Sequence, residues 1–343
     1  MRVDIRGFIK PLIESLIAIV IGILLGAIIL AFSGYNPIKA YIALFDGALG
    51  SKYGWAMTLS ATTPMILTAL TFGLGARTGL FNIGAEGTVY FGAIAALILT
   101  NIWGNILMGL LGGIIAGIAW MAIPAFLKVF RGVNEVVSTI MLNWMAYFLA
   151  LYIVLQKIPN PDDPNKTIAV PLSARFPIII RGTELSWAFA ISVIAAVLAY
   201  YVLWHTTLGY ELRVSGYNER AARYAGINPK KAIIWSFLIG GITSGLAGAV
   251  EVMGRPPSYA ISQGMANIYG YGFDGIGVSL VGRNHPLGII FSGIFFGMLK
   301  AGATAMQIEA GVPLEMVRMV QGIIVVTVAI PGILDLLKRV VRK

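Results

Sequence analysis

From Trp55 to Asn101 the chain is one apolar run, broken only at residues 77–87 by Arg-Thr-Gly-Leu-Phe-Asn-Ile-Gly-Ala-Glu-Gly. About 20 apolar residues already span a bilayer core, so a run of this length belongs in hydrocarbon rather than in a water-soluble core. An arginine, an asparagine and a glutamate inside it are costly unless a cavity or partner compensates, and such residues mark functional positions. The glycines among them read as a helix break, which membranes tolerate only where backbone lines a cavity or is buried in protein. A chain of this kind is expected to carry a solute across a membrane.

Composition points the same way. Hydrophobic residues make up 58% and charged residues 12% of the chain, with a mean hydropathy of +0.83; soluble domains average about 25% charged. The 343 residues can hold roughly ten spans joined by short loops. The 41 glycines fit closely approaching membrane helices, and G-x-x-x-G recurs at Gly22/Gly26, Gly109/Gly113, Gly113/Gly117, Gly241/Gly245 and Gly293/Gly297. With no cysteine, disulfides and thiolate metal sites are excluded, and the two histidines, His205 and His285, lie far apart. A net charge of +10 would point to nucleic acid in a soluble chain; here it fits basic cytoplasmic loops.

These patterns predict an all-helical polytopic membrane protein of about ten transmembrane segments, two of them short or interrupted. Residues 1–11 read as an amphipathic stretch at the cytoplasmic interface, and 12–337 as one transmembrane domain. The first span, Leu12–Phe32, has an apolar core too long for a cleaved signal, which would have about 7–15 apolar residues. The others are Trp55–Ala76, Thr88–Thr100, Asn105–Leu127, Glu135–Gln156, Ser186–Trp204, Ala232–Val252, a glycine-rich segment closing near Ile276–Val281, Leu287–Ala303 and Val317–Leu337. An outer loop occupies 157–185, a cytoplasmic loop 205–231 and a basic tail 338–343. With the N-terminus inside, more than half of the 25 basic residues fall on the inner face, so both termini are expected to be cytoplasmic.

Loop 205–231 concentrates charge. Its middle, Asn218-Glu-Arg-Ala-Ala-Arg-Tyr-Ala-Gly-Ile-Asn-Pro229, reads as a short helix capped by Asn218 and ended by Gly226 and Pro229. A helix of about eight residues is unstable alone in water, so something should hold it. A solvated positive loop is one reading. The other is a docking helix for a cytoplasmic partner, with Ala221, Ala222, Tyr224 and Ile227 as its apolar face.

The pattern Gly209-Tyr-Glu-Leu-Arg-Val-Ser-Gly216, followed by Asn218–Ile227, resembles the coupling loop of ABC-importer permeases. More narrowly, Arg77–Gly87, Gly132-Val-Asn-Glu-Val-Val-Ser-Thr-Ile-Met-Leu-Asn143 and Tyr271–Gly288 are similar to signatures of the permeases for branched-chain amino acids, ribose-type sugars and nucleosides. Phe81–Gly87 together with Asn134–Asn143 looks closest to the nucleoside branch. The resemblance implies half of a translocation pore, paired with a second and different permease, over cytoplasmic ATP-binding-cassette ATPases, and fed by an extracytoplasmic binding lipoprotein. It also implies ATPase coupling through Glu211, Arg213, Asn218, Ala221, Ala222, Tyr224, Gly226 and Ile227, in the cell membrane of a prokaryote. The sequence has no Gly-x-x-x-x-Gly-Lys-Ser/Thr loop, so no cofactor is expected on this chain, and ATP and magnesium belong to the partner ATPase.

Gly270-Tyr-Gly-Phe-Asp-Gly275 satisfies G-x-G-x-x-G, but with no βαβ unit around it the motif reads as a second helix break rather than a dinucleotide loop. The candidate substrate pathway is Asn82, Glu86, Asn143, Trp144, Gln263, Asn267 and Asp274. Asn82 and Glu86 would share a face if the helix continued through them. Glu86 either lines the pore or locks Arg77. Asn143, beside Trp144 and Tyr147, either binds a base or sugar or ties two helices together. Gly79-Leu-Phe-Asn-Ile-Gly84 and Gly272-Phe-Asp-Gly-Ile-Gly277 share Gly-x-x-x-Ile-Gly, which hints at two broken helices facing one pathway. A nucleoside is the expected substrate. The alternatives are a simple sugar or branched-chain amino acid, or an ion-coupled secondary transporter using Glu86 or Asp274 as a relay.

Overall fold

A computed structural model of the chain describes residues 5–329. Residues 1–4 and the expected end of the last span and basic tail, 330–343, lie outside the described residues. The described chain is all-helical. In chain order the α-helices are α1 (Ile5–Phe32), α2 (Pro37–Leu49), α3 (Lys52–Arg77), α4 (Ala85–Trp103), α5 (Ile106–Arg131), α6 (Glu135–Gln156) and α7 (Ala188–His205). They continue with α8 (Thr207–Tyr217), α9 (Glu219–Tyr224), α10 (Pro229–Gly254), α11 (Tyr271–Val281), α12 (Pro286–Ala310) and α13 (Leu314–Ala329). Among the described residues, 7 helices are long and apolar enough to cross a membrane: α3, α4, α5, α6, α7, α10 and α12.

Two expectations about local structure change. The segment after Phe32 is not a plain loop: Asn36 accepts from the backbone N–H of Ile38 and Lys39, and Pro37 occupies the first helical position, so α2 forms there. Residues 5–11 are continuous with the first span, because α1 begins at Ile5 rather than Leu12. The two interruptions are where the glycines place them. Residues 78–84 are non-helical, and α11 is only 11 residues long, about 16 Å, roughly half of a bilayer core.

Helix α3 is the central pillar. Of its most apolar window 89% is buried, against 28% for α5 and α7, which present their flanks outward. Hydroxyls make α3 a hub. Thr62, Thr68 and Thr71 donate to carbonyls of Gly293 (3.1 Å), Tyr271 (2.8 Å) and Gly240 (2.9 Å), linking α3 to α12, α11 and α10. Without water in hydrocarbon, such bonds satisfy groups that would otherwise be stranded.

Glycine makes the second contact system. A Cβ on Gly245 of α10 would overlap the Gly113 carbonyl of α5 and sit 3.1 Å from the Gly117 Cα, and one on Gly92 of α4 would strike Gly245. The other repeated pairs also meet a neighbour: Gly22 and Gly26 face Ile324 and Val320 of α13, while Gly293 and Gly297 face Ile66 and Thr62 of α3.

The helical body has two distinct ends. At one, the 157–187 loop packs on the 255–270 hairpin and the end of α10: Thr167 N–H donates to the Ile261 carbonyl at 3.0 Å and Phe176 N–H to the Met253 carbonyl of α10 at 3.0 Å. At the other, the Arg77 end of α3 meets α8 and the 282–285 turn.

Gly245→Val should abolish the α5–α10 approach, and Gly322→Ala, where nothing lies within 4 Å, should be silent. Monodisperse yield in size-exclusion chromatography reads both; a normal Gly245→Val profile would show that the seam does not hold the bundle.

Candidate functional site

The site forms where two helices begin against each other. Helix α4 starts at Ala85, just after the break, and places Glu86 in its first turn. Helix α11 starts at Tyr271 behind Gly270, whose φ of 91° turns the chain into the helix. Gly272 is obligatory here, since a Cβ would overlap the Glu86 backbone. The buried Glu86 carboxylate therefore lies on the first turn of α11. Its Oε1 accepts from Gly270 N–H at 2.6 Å and from the Tyr90 hydroxyl at 2.6 Å, and its Oε2 accepts from Gly272 N–H at 2.7 Å. A carboxylate at a helix start meets unpaired donors and the positive end of the dipole together.

Arg77 does not pair with Glu86. It reaches the opposite end of the same helix: Nε donates to the Asn284 carbonyl at 2.9 Å and a terminal nitrogen to the Arg283 carbonyl at 2.9 Å. The two ionisable residues of the break thus clasp α11 from its two ends, each with the sign that its end of the dipole favours. The Arg77–Glu86 lock, one of the two roles open to Glu86, is absent, and both residues instead grip a third element.

The asparagines secure the break itself. Asn82 is not on a helix with Glu86: its Oδ1 accepts from Gly84 N–H at 2.9 Å within the turn. Asn143 of α6 donates from Nδ2 to the Ile83 carbonyl at 3.0 Å and accepts at Oδ1 from Gly87 N–H at 2.9 Å. It bridges the end of the break and the start of α4.

Beside this junction is an open-sided recess walled by Glu86, Tyr90, Asn143 and Tyr147, with Ile140, Trp144, Tyr269 and Phe273 completing it. Tyr147 is its hub, with Tyr90, Trp144 and Tyr269 edge-on at centroid distances of 6.0, 6.2 and 6.2 Å. Of the seven pathway candidates, Glu86, Asn143 and Trp144 line the recess. Asn82 supports the break. Asp274 is in the first turn of α11, 3.4 Å from the Lys300 ammonium. Gln263 and Asn267 sit away from the recess in the hairpin, where Asn267 ties Ser262 to Ala260. Sequence reasoning missed Tyr90, Tyr269 and Phe273; the four-residue spacing from Glu86 to Tyr90 was the available signal.

An ionic cluster joins the hairpin to the site. Arg255 meets Glu184 of the 157–187 loop at 2.8 Å, Glu251 of α10 at 2.9 Å and the Tyr271 hydroxyl, and the Lys300 ammonium lies 3.8 Å from the centre of the Tyr271 ring.

In the 205–231 loop, two helices replace the single expected one. Asn218 caps α9, accepting from Arg220 and Ala221 N–H, and Gly226 ends it with a φ of 77°. Ala222, expected on the docking face, is buried within the chain where α9 packs on α8 and α10. Tyr224 is 94% exposed, and Ala221 beside it is exposed too. Arg213 of α8 lies over the Trp204 ring at 5.5 Å, as does Arg77 at 5.4 Å. His285, in the turn after α11, packs against the same ring at 4.5 Å.

A helical body with ionisable residues clasping a half-helix beside an aromatic recess defines a multi-pass membrane transport protein. Residues 54–329 match the profile of BPD_transp_2, the branched-chain amino acid transport system / permease component. The chain belongs to that family. It is similar to the guanosine ABC transporter permease protein NupP of Bacillus subtilis, with 37% identity over 94% of each chain. It is also similar to the nucleoside ABC transporter permease protein NupB of Lactococcus lactis, 35% identical over 96% of this chain and 93% of the relative. The glucose ABC transporter permease protein TsgB13 of Haloferax volcanii is 31% identical over 88% of this chain and 82% of the relative.

Two predictions follow from the geometry. Glu86→Gln keeps the shape but points an N–H donor at one of the three donors, losing bonds worth about 1.5–3 kcal/mol to a charged acceptor. Its melting temperature in detergent should fall by several degrees; an unchanged value would show that the charge is not what holds α11. The second concerns His285, whose imidazole is pulled down to about 4, first by burial and then by the Arg77 charge. The unfolded chain takes up this proton near pH 6.5, so the contribution to stability is complete above about 6.5 and is lost as pH falls through about 4. From pH 7 to 5 the wild type should therefore lose more thermal stability than His285→Gln; equal losses would mean the ring is not shielded.

Proposed function

We propose that the chain is the transmembrane permease subunit of an ABC importer for nucleosides and that the recess at the α4–α11 junction is its portion of the substrate pathway. The observation that carries this reading is the recess itself. Five aromatic rings, from Tyr90, Trp144, Tyr147, Tyr269 and Phe273, surround one asparagine and one carboxylate, and flat apolar faces beside a few fixed polar groups suit a neutral heterocycle bearing hydroxyls. The names of two relatives, a guanosine and a nucleoside permease, point to the same class.

A branched-chain amino acid fits less well. It brings both an ammonium and a carboxylate, yet no cation lines the recess and its one carboxylate already accepts three hydrogen bonds. The three donors on Glu86 and the pairing of Asp274 with Lys300 count against either acid as an ion relay. A glucose permease among the relatives keeps a sugar as the second reading.

In this reading a second permease closes the open side of the recess along α6, where Trp144 and Phe148 are exposed. An ATPase meets the α8–α9 loop around Tyr224, and a binding lipoprotein delivers substrate to the end bearing the 157–187 loop. Ten crossings result if the 255–270 hairpin with α11 counts as one, and both termini then lie inside, on the side of Arg77, Arg213 and Arg283.

The test is reconstitution of the four-component complex in proteoliposomes with radiolabelled guanosine and glucose. Guanosine should accumulate only with ATP. Tyr147→Ala should lower affinity about tenfold, since base–aromatic stacking is worth about 1–3 kcal/mol. Accumulation of glucose alone, or uptake driven by an ion gradient without ATP, would overturn the nucleoside assignment.

A further inference from the structure

The recess and the cytoplasmic helix pair are joined by an uninterrupted line of contacts, and its tightest point is glycine on glycine. Gly216 is the penultimate residue of α8, two positions before Asn218, the cap of α9. A Cβ there would overlap the Arg77 carbonyl and stand 2.8 Å from Gly79 N; reciprocally, a Cβ on Gly79 would lie 3.2 Å from the Cα and carbonyl oxygen of Gly216. Backbone touches backbone, with no flexible side chain to absorb a displacement.

From that point the line runs in two directions. The Arg77 side chain holds the carbonyls of Arg283 and Asn284 just beyond α11. The main chain runs from Gly79 through the break to Glu86, which holds the N–H groups of Gly270 and Gly272 at the other end of α11. Between them the break is braced near both ends: Leu80 N–H donates to the Gly75 carbonyl at 2.9 Å, Gly84 N–H to Asn82, and Asn143 clamps Ile83 and Gly87. A short segment anchored at both ends has little slack to absorb a displacement, and packed contacts of this kind shift between discrete arrangements rather than yielding gradually.

We propose that residues 77–86 are a rigid link through which displacement of α8–α9 at the Gly216–Gly79 contact moves α11 as a unit and so opens or closes the recess. Gly79, Gly216 and Arg77 are then positioning residues for transport, none of them touching substrate. The proposal rests on the permease reading, in which the α8–α9 loop receives the ATPase.

The experiment measures ATP hydrolysed per guanosine imported by the complete reconstituted complex. Gly216→Ala favours the helical state of α8 more than glycine does, so it damages the contact and not the helix that makes it. Hydrolysis should persist while import falls, raising the ratio about tenfold, a size typical of strong coupling mutations. Arg77→Lys keeps a cation over Trp204 but, as a point charge, loses the fork that spans two carbonyls, so a smaller rise of a few-fold is expected. Ratios unchanged in both variants would overturn the link, whatever happens to yield, because the ratio is read per assembled transporter. Parallel loss of hydrolysis and import would count against it in the same way. If the wild-type complex fails to couple hydrolysis to import of any nucleoside, the permease reading itself falls, and the link with it.

Discussion

Everything near the site depends on the Glu86 carboxylate accepting the backbone donors at the start of α11. In hydrocarbon there is no water to receive those N–H groups, and each left unpaired costs several kcal/mol. A half-helix can begin at membrane depth only if the protein supplies acceptors there. Glu86 does so from the first turn of α4, so one negative charge serves two helix starts whose dipoles converge on it. The same bonds explain how an acid survives in an apolar setting: two backbone amides and the Tyr90 hydroxyl replace its hydration.

Around that interaction the scaffold is divided by chemistry. Helix α3 provides hydroxyls, which tie α10, α11 and α12 at fixed registers. Helix α10 provides glycines, which let α4 and α5 approach to backbone contact. Cations guard the ends: Arg77 closes the lower end of α11, while Arg255 gathers Glu184, Glu251 and Tyr271 near its start. Helix α11, too short to cross a bilayer, is therefore gripped at both ends and along α3, where Gly275 lies against Thr68 and Ala69. The recess beside it owes its shape to that grip, since Tyr269 and Phe273 are carried by α11 and the residues leading into it.

Apolar run length and glycine placement made the architecture legible in the sequence. Both breaks were readable because charge and glycine coincide there, and hydrocarbon tolerates that coincidence only in a special site. The cap of α9 was readable too, since Asn218 acts through backbone groups two and three residues away. Helix α2 was missed because its apolar run is short, although Asn36-Pro37 is a start signal of the same local kind. Of the pathway candidates, Asn143 has both duties posed as alternatives, tying elements together and facing the recess, while Glu86 faces the recess and holds the start of α11 in place of Arg77. Gln263 and Asn267 were singled out by polarity alone, and polarity does not say which way a hairpin folds.

What the sequence determined by itself was that this chain is a multi-pass helical protein with two helix breaks and a charged loop, since each of these depends on residues adjacent or one helical turn apart. Only the tertiary structure decided that Arg77 and Glu86 serve opposite ends of α11 rather than each other, that Ala222 is spent inside the chain, and that Gly216 rests on Gly79. The first and last of those outcomes join residues more than 130 positions apart. Such pairings are selected by which backbone groups remain unsatisfied after all the helices have packed, and no local pattern records that remainder.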